Sequence, residues 1–125
     1  MKVLLFAADV EPQSGVATSG GGMRSWQLAQ SLLAAGHDVR VSIPNFTYLY
    51  RRFEKYIPEE RRREAWDPHS QDALVARHRP DAVLFSCTWI VDNLRRPTDC
   101  LCIQDLNGPQ LLEMVAKGHH EGAPS

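Results

Sequence analysis

Four short apolar runs separated by helix-like segments constrain this chain more than any other feature. They are Val3–Ala8 (VLLFAA), Val39–Ile43 (VRVSI), Ala82–Cys87 (AVLFSC) and Cys100–Gln104 (CLCIQ). Val3–Ala8 and Ala82–Cys87 are continuous, as suits strands buried on both faces of a parallel sheet. Cys100–Gln104 makes the fourth strand, whereas Val39–Ile43 alternates and stops at Pro44. Between the first two runs of the chain, Gly22–Ala35 repeats Trp26, Ala29, Leu32 and Leu33 at helical spacing, and Gly36 follows as a terminator. A short helix is expected over Ser70–His78, closed by Pro80, and a last one over Gln110–Lys117, ending at Gly118. Strands alternating with helices in this way imply an α/β fold with right-handed crossovers and helices on both faces of the sheet. The stretch 45–68 has no clear period. It carries Phe46, Tyr48, Tyr50, Phe53, Tyr56 and Trp66 among many arginines.

The size of the chain, 125 residues, is that of one domain, enough to bury about two-thirds of its unfolded surface. A net charge of −1 gives no global attraction to nucleic acid. The three cysteines, Cys87, Cys100 and Cys102, are odd in number and sit in apolar runs, where a thiol acts as a small hydrophobe. The first apolar run is too short for a signal sequence, and no run approaches the ~20 residues that span a bilayer. A cytoplasmic protein is expected.

The first candidate for chemistry is the glycine triplet Gly20-Gly21-Gly22, between the first strand and the first helix. Glycines let backbone approach a ligand, and a helix start offers unpaired N–H groups at a positive dipole end. An anion is the natural occupant; the alternative is a loop whose glycines only permit a tight helix entry. A P-loop would need Gly-Lys-[Ser/Thr], but Met23-Arg24-Ser25 follows. A dinucleotide fingerprint would need a third glycine where Ser25 stands, a turn directly after the strand, and an acidic residue after the second strand. The second strand instead runs into Pro44-Asn45, so a nicotinamide cofactor is disfavoured.

A long loop, then glycines, then a helix is a third scheme. The run MKVLLFAADVEPQSGVATSGGGMRSWQLAQSLLAAGHDVRVSIP resembles the opening of retaining nucleotide-sugar glycosyltransferases of the two-domain GT-B kind, glycogen-synthase-like in type. Leu33-Ala34-Ala35-Gly36-His37-Asp38-Val39 is close to that family's A-x-x-G-H-x-V junction. Arg79-Pro80-Asp81-Ala82-Val83 resembles its lead-in to a later strand, and Asp105-Leu106-Asn107-Gly108-Pro109 with Leu112-Glu113 is similar to D-L-x-x-P…L-E. The resemblance covers most of the chain except residues 45–70.

The resemblance implies a Rossmann-like N-terminal, acceptor-side half spanning residues 1–118, followed by a loose tail over 119–125. The C-terminal donor-binding half would be absent, leaving this piece inactive alone. Gly20, Gly21 and Gly22 would face the donor diphosphate, stabilising the departing nucleoside diphosphate. Arg24, in the first turn, would add a charge-assisted donor, or else form a surface ion pair. Asp9 and Glu11 would meet an acceptor hydroxyl, or else be surface charges of the loop. Asp105 or Asn107 would take a polar role toward sugar hydroxyls in place of the histidine many relatives carry there; a turn or capping role for Asp105 stays open. Family catalysis does not depend on a bound metal, and no metal-ligand spacing occurs here; His119-His120 reads as solvated. No cofactor is expected.

The reaction implied moves a sugar from a nucleotide-sugar donor to a hydroxyl acceptor. The alternative, from a different class, is a non-catalytic α/β binding module that dimerises through an exposed sheet edge. The stretch Arg51–Arg63 holds six basic residues against three acidic ones. With its tyrosines it reads as an insertion packing aromatics on the core, or as a peripheral membrane or acceptor contact through 48–63. Nucleic acid is not expected as a partner.

Overall fold

A computed structural model describes residues 1–12, 18–86 and 100–105. Four parallel strands form one sheet: β1 (Lys2–Phe6), β2 (Asp38–Ser42), β3 (Ala82–Phe85) and β4 (Leu101–Gln104), in the order β2-β1-β3-β4. The helices are α1 (Gly20–Ala34), α2 (Tyr48–Phe53), α3 (Glu59–Arg63) and α4 (Gln71–His78), with a 3-10 turn at Glu54–Tyr56. The fold is Rossmann-like α/β.

Strand alternation divides the core in two. Val3 and Leu5 join Val41, Ala82 and Leu84 in a cluster completed by Ala29, with Leu28 and Leu32 packed against it, so α1 covers this face. Leu4, Phe6, Val83 and Phe85 cluster with Leu74 and Trp66 on the other face, under α4. One crossover carries the chain from β1 to β2 and the next from β2 back past β1 to β3, so with one hand their helices fall on opposite faces. The sheet order therefore reverses between β1 and β3, and a crevice forms beyond their carboxyl ends.

Several boundaries differ from the sequence reading for local reasons. β1 stops at Phe6 because the N–H of Ala8 turns to a side chain, Ser25 Oγ, at 3.0 Å. Helix α1 begins at Gly20, so all three glycines are helical. Ser19 is the N-cap, its hydroxyl accepting from the Gly22 N–H at 3.2 Å. Helix α4 ends where Arg79 adopts a left-handed φ of 46° ahead of Pro80. β2 is exposed at Asp38 and Arg40, as its alternation implies, whereas β4 was expected to be buried. It is instead half-exposed, with Leu101 at 54% and Ile103 at 39% exposure, while Cys100 and Cys102 are the side chains that pack on the core. The third-strand residue Cys87 and the expected helix Gln110–Lys117 lie outside the described residues.

The stretch without a period is an ordered insertion. Thr47 caps α2, its hydroxyl accepting from the Tyr50 N–H at 3.2 Å. Acidic Glu59 and Glu60 open α3, and Arg61, Arg62 and Arg63 close it, matching the helix dipole. The chain then returns to extend the sheet beside β2. The Trp66 N–H donates to Ile43 O at 2.8 Å, and the Asn45 N–H donates to Trp66 O at 3.0 Å. Trp66 is fully buried; its indole N–H donates to Ala7 O at 3.0 Å and its ring meets Phe6 and Phe46 edge-on. Burial of so large a ring accounts for the return.

Candidate functional site

The first turn of α1 lies directly over the crevice between β1 and β3, and Ser25 is what fixes it there. Its hydroxyl accepts from the Ala8 N–H and donates to Gly21 O at 2.9 Å. It also lies 2.6 Å from Ser86 Oγ, whose single proton can serve either that contact or Phe6 O at 3.1 Å. Both serines are buried. The residue that stands where a dinucleotide fingerprint would have its third glycine is thus a polar rivet joining α1 to the ends of β1 and β3.

The three glycines do different work. A Cβ on Gly22 would overlap the Thr18 hydroxyl and come within 2.8 Å of Val10 O. One on Gly21 would sit 3.0 Å from the Cβ of Ala8, while one on Gly20 would meet nothing. Close packing of helix on loop therefore demands Gly22, and makes Gly21 tight. Gly20 is free of that demand and is exposed. Gly22 gives its N–H to the cap and Met23 donates to Ser19 O. The N–H groups of Gly20 and Gly21 have no acceptor among the described residues. They are the two donors a ligand would find.

The carboxylates after β1 are not loop-surface charges. Asp9 is only 8% exposed; its Oδ1 accepts from the Val10 N–H and from Thr47 Oγ1, both at 2.9 Å. Glu11 is equally buried, and its Oε1 lies 3.1 Å from Arg61 Nε yet accepts no hydrogen bond. Burial raises the Glu11 pKa, against the opposing charge of Arg61. A misaligned ion pair recovers less than desolvation costs, which is why the burial effect wins. Both contacts tie the insertion to the site: α2 through Thr47, and α3 through Arg61.

Two further candidates have found each other. Arg24 donates from Nε to Asp105 Oδ2 at 2.9 Å and from Nη2 to Oδ1 at 3.1 Å. This pairing raises the Arg24 pKa, through the hydrogen bonds first and the charge second. No family model, curated protein or solved structure matches this chain. The functional reading therefore rests on the site's own geometry and on the resemblance carried by the motifs.

Asn107 lies outside the described residues, as do His119 and His120. Sequence reasoning missed Thr47, Arg61 and Ser86. The first two lie in the aperiodic insertion, and Ser86 is an ordinary strand-end serine until α1 is laid over it. A small cavity beside β2, walled by Arg40, Ser42, Glu60, Arg61, Glu64 and His78, is a second concavity. Its ionic groups are largely spoken for: Glu64 Oε2 is 2.7 Å from both Arg77 Nη2 and His78 Nε2, and Arg61 faces Glu11.

Proposed function

We propose that this chain is the acceptor-side N-terminal half of a glycosyltransferase that uses a nucleotide-sugar donor. The observation that carries the reading is the pair of N–H donors at Gly20 and Gly21 that have no acceptor among the described residues, at the positive end of α1 and over the crevice between β1 and β3. A diphosphate placed there would gain two amide hydrogen bonds and the helix dipole, the arrangement that stabilises a departing nucleoside diphosphate. Asp9, with one oxygen held by Thr47 and Val10, would present the other to an acceptor hydroxyl. Asp105 would bind sugar hydroxyls only after parting from Arg24. The nucleoside would sit on a second α/β half, and transfer would need both. The setting proposed is the cytoplasm; among the described residues no helix is long and apolar enough to cross a membrane.

Titration with inorganic phosphate, UDP and UDP- or GDP-sugars, followed by amide NMR, tests this. Shifts centred on Gly20 and Gly21 are expected. Saturating ligand with no shift at these amides would remove the basis of the proposal.

A second reading, a non-catalytic module that dimerises, is favoured by one observation: among the described residues β4 is an edge strand, with Leu101 and Ile103 exposed. Exposed edges of this kind invite pairing. Concentration-dependent dimerisation abolished by Ile103→Lys would favour it.

A further inference from the structure

The insertion carries a surface that the candidate site does not use. On α2 and the turn after it, Tyr50 is buried and Leu49 and Phe53 pack on the core. The opposite side presents Tyr48 and Tyr56, 69% and 57% exposed, with Arg51, Arg52 and Lys55 beside them. Arg52 Nη1 donates to the Tyr48 hydroxyl at 2.9 Å, and Lys55 Nζ lies 5.0 Å from the Tyr56 ring centre. The basic residues further along are engaged elsewhere: Arg61 with Glu11, Arg62 with Ile57 O, and Arg63 with Glu59. Arg51, Arg52 and Lys55 form no ion pair among the described residues, and Glu54 is the one acid among them.

We infer that this face docks the protein on an anionic lipid bilayer. Exposed tyrosines flanked by long basic side chains match the chemistry of a headgroup layer: rings at the interface, cations toward acidic lipids. The whole chain carries a net −1, so nothing draws it to a polyanion at long range. A charged surface acts on a local patch within about a Debye length, which suits three cations gathered on two turns. None of the five residues lines the cavity beside β2, so the patch is separate from that concavity. Docking there also orients the site, because the α2 cap Thr47, next to Tyr48, donates to Asp9. The inference stands independently of the anion-binding role of the glycine turn.

The test is co-sedimentation of the full chain with phosphatidylcholine vesicles containing one-third phosphatidylserine, against phosphatidylcholine alone, at low and high salt. Binding to the acidic vesicles at low salt is expected, weakened by salt. At roughly 1 kcal/mol per cation, neutralising Arg51, Arg52 and Lys55 to glutamine should lower the partition coefficient about a hundredfold. Arg79→Gln, an exposed cation at the other end of the sheet, should leave it unchanged. Should the triple variant lose its circular dichroism spectrum, Arg51→Gln alone decides, with a loss of about fivefold. Equal binding to both vesicle types, or undiminished binding by the folded variants, would overturn the inference. So would single-stranded RNA binding that depends on these residues in a chain that ignores vesicles.

Discussion

Arg24 and Asp105, 81 residues apart in the chain, meet through two parallel hydrogen bonds that join the first turn of α1 to the end of β4. The pairing occupies two of the guanidinium's five N–H donors and offsets its charge, so Arg24 attracts a phosphate less strongly than a free arginine would. If the crevice takes a diphosphate, Asp105→Asn should release Arg24 and tighten phosphate binding several-fold at low salt. Arg24→Gln, which leaves the Asp105 charge unpaired, should weaken it, and the double variant should fall between the two single variants. Calorimetric titration of phosphate into the three variants reads this directly; unchanged affinity throughout would leave the pair a purely structural tie.

The glycines separate packing from recognition. Gly20→Ala meets nothing and relieves the entropy cost of a helical glycine, so urea unfolding should show up to ~1 kcal/mol of added stability. Gly22→Ala must displace the Thr18 hydroxyl and crowd Val10 O, and should cost about 1–3 kcal/mol. An equal effect at both positions would contradict the packing account.

Removing the Ser25 hydroxyl strands the buried N–H of Ala8 and leaves the Ser86 hydroxyl with Phe6 O alone. Ser25→Ala should therefore cost about 1–3 kcal/mol. Ser86→Ala added to it should cost clearly less than it does alone, because the two share one network. Additive losses in a double-mutant cycle would show that the hydroxyls act separately.

Two glutamates should bend the pH profile in opposite directions. Burial raises the Glu11 pKa above 4.5, so the folded state binds its proton more readily than the unfolded chain does. Its contribution to stability improves as pH falls through the raised value toward 4.5, and Glu11→Gln should abolish that improvement. At Glu64, burial works upward, but hydrogen bonds from His78 and Arg77 and their charges outweigh it and lower the pKa. That stabilisation is present above 4.5 and lost as pH falls through the lowered value; Glu64→Gln should remove the loss. Unfolding free energies measured against pH for the wild type and both variants check each sign.

Much of the fold was legible because strands buried on both faces leave an unmistakable apolar run, and Val3–Ala8 and Ala82–Cys87 were read that way. Helix α1 was legible from its period, but its start was misplaced by two residues. Glycine is a poor helix former, and only the Ser19 cap and the packing on Ala8 and Val10 bring the triplet into the helix. The β4 reading failed on burial: CLCIQ looks like a core strand, yet as an edge strand it turns Leu101 and Ile103 outward.

The sequence by itself determined the α/β alternation, the parallel sheet and the position of a glycine-led helix start, since each follows from local pattern and backbone preference. Only the tertiary structure decided the partners. Ser25 on Ser86, Arg24 on Asp105, Thr47 on Asp9 and Arg61 beside Glu11 join residues remote in sequence, and polar pairing across such distances leaves no period to read. The same physics explains why Glu11 is buried despite its charge: the return of Trp66 to the sheet edge brings α3 back over the end of β1, where Arg61 stands beside the carboxylate.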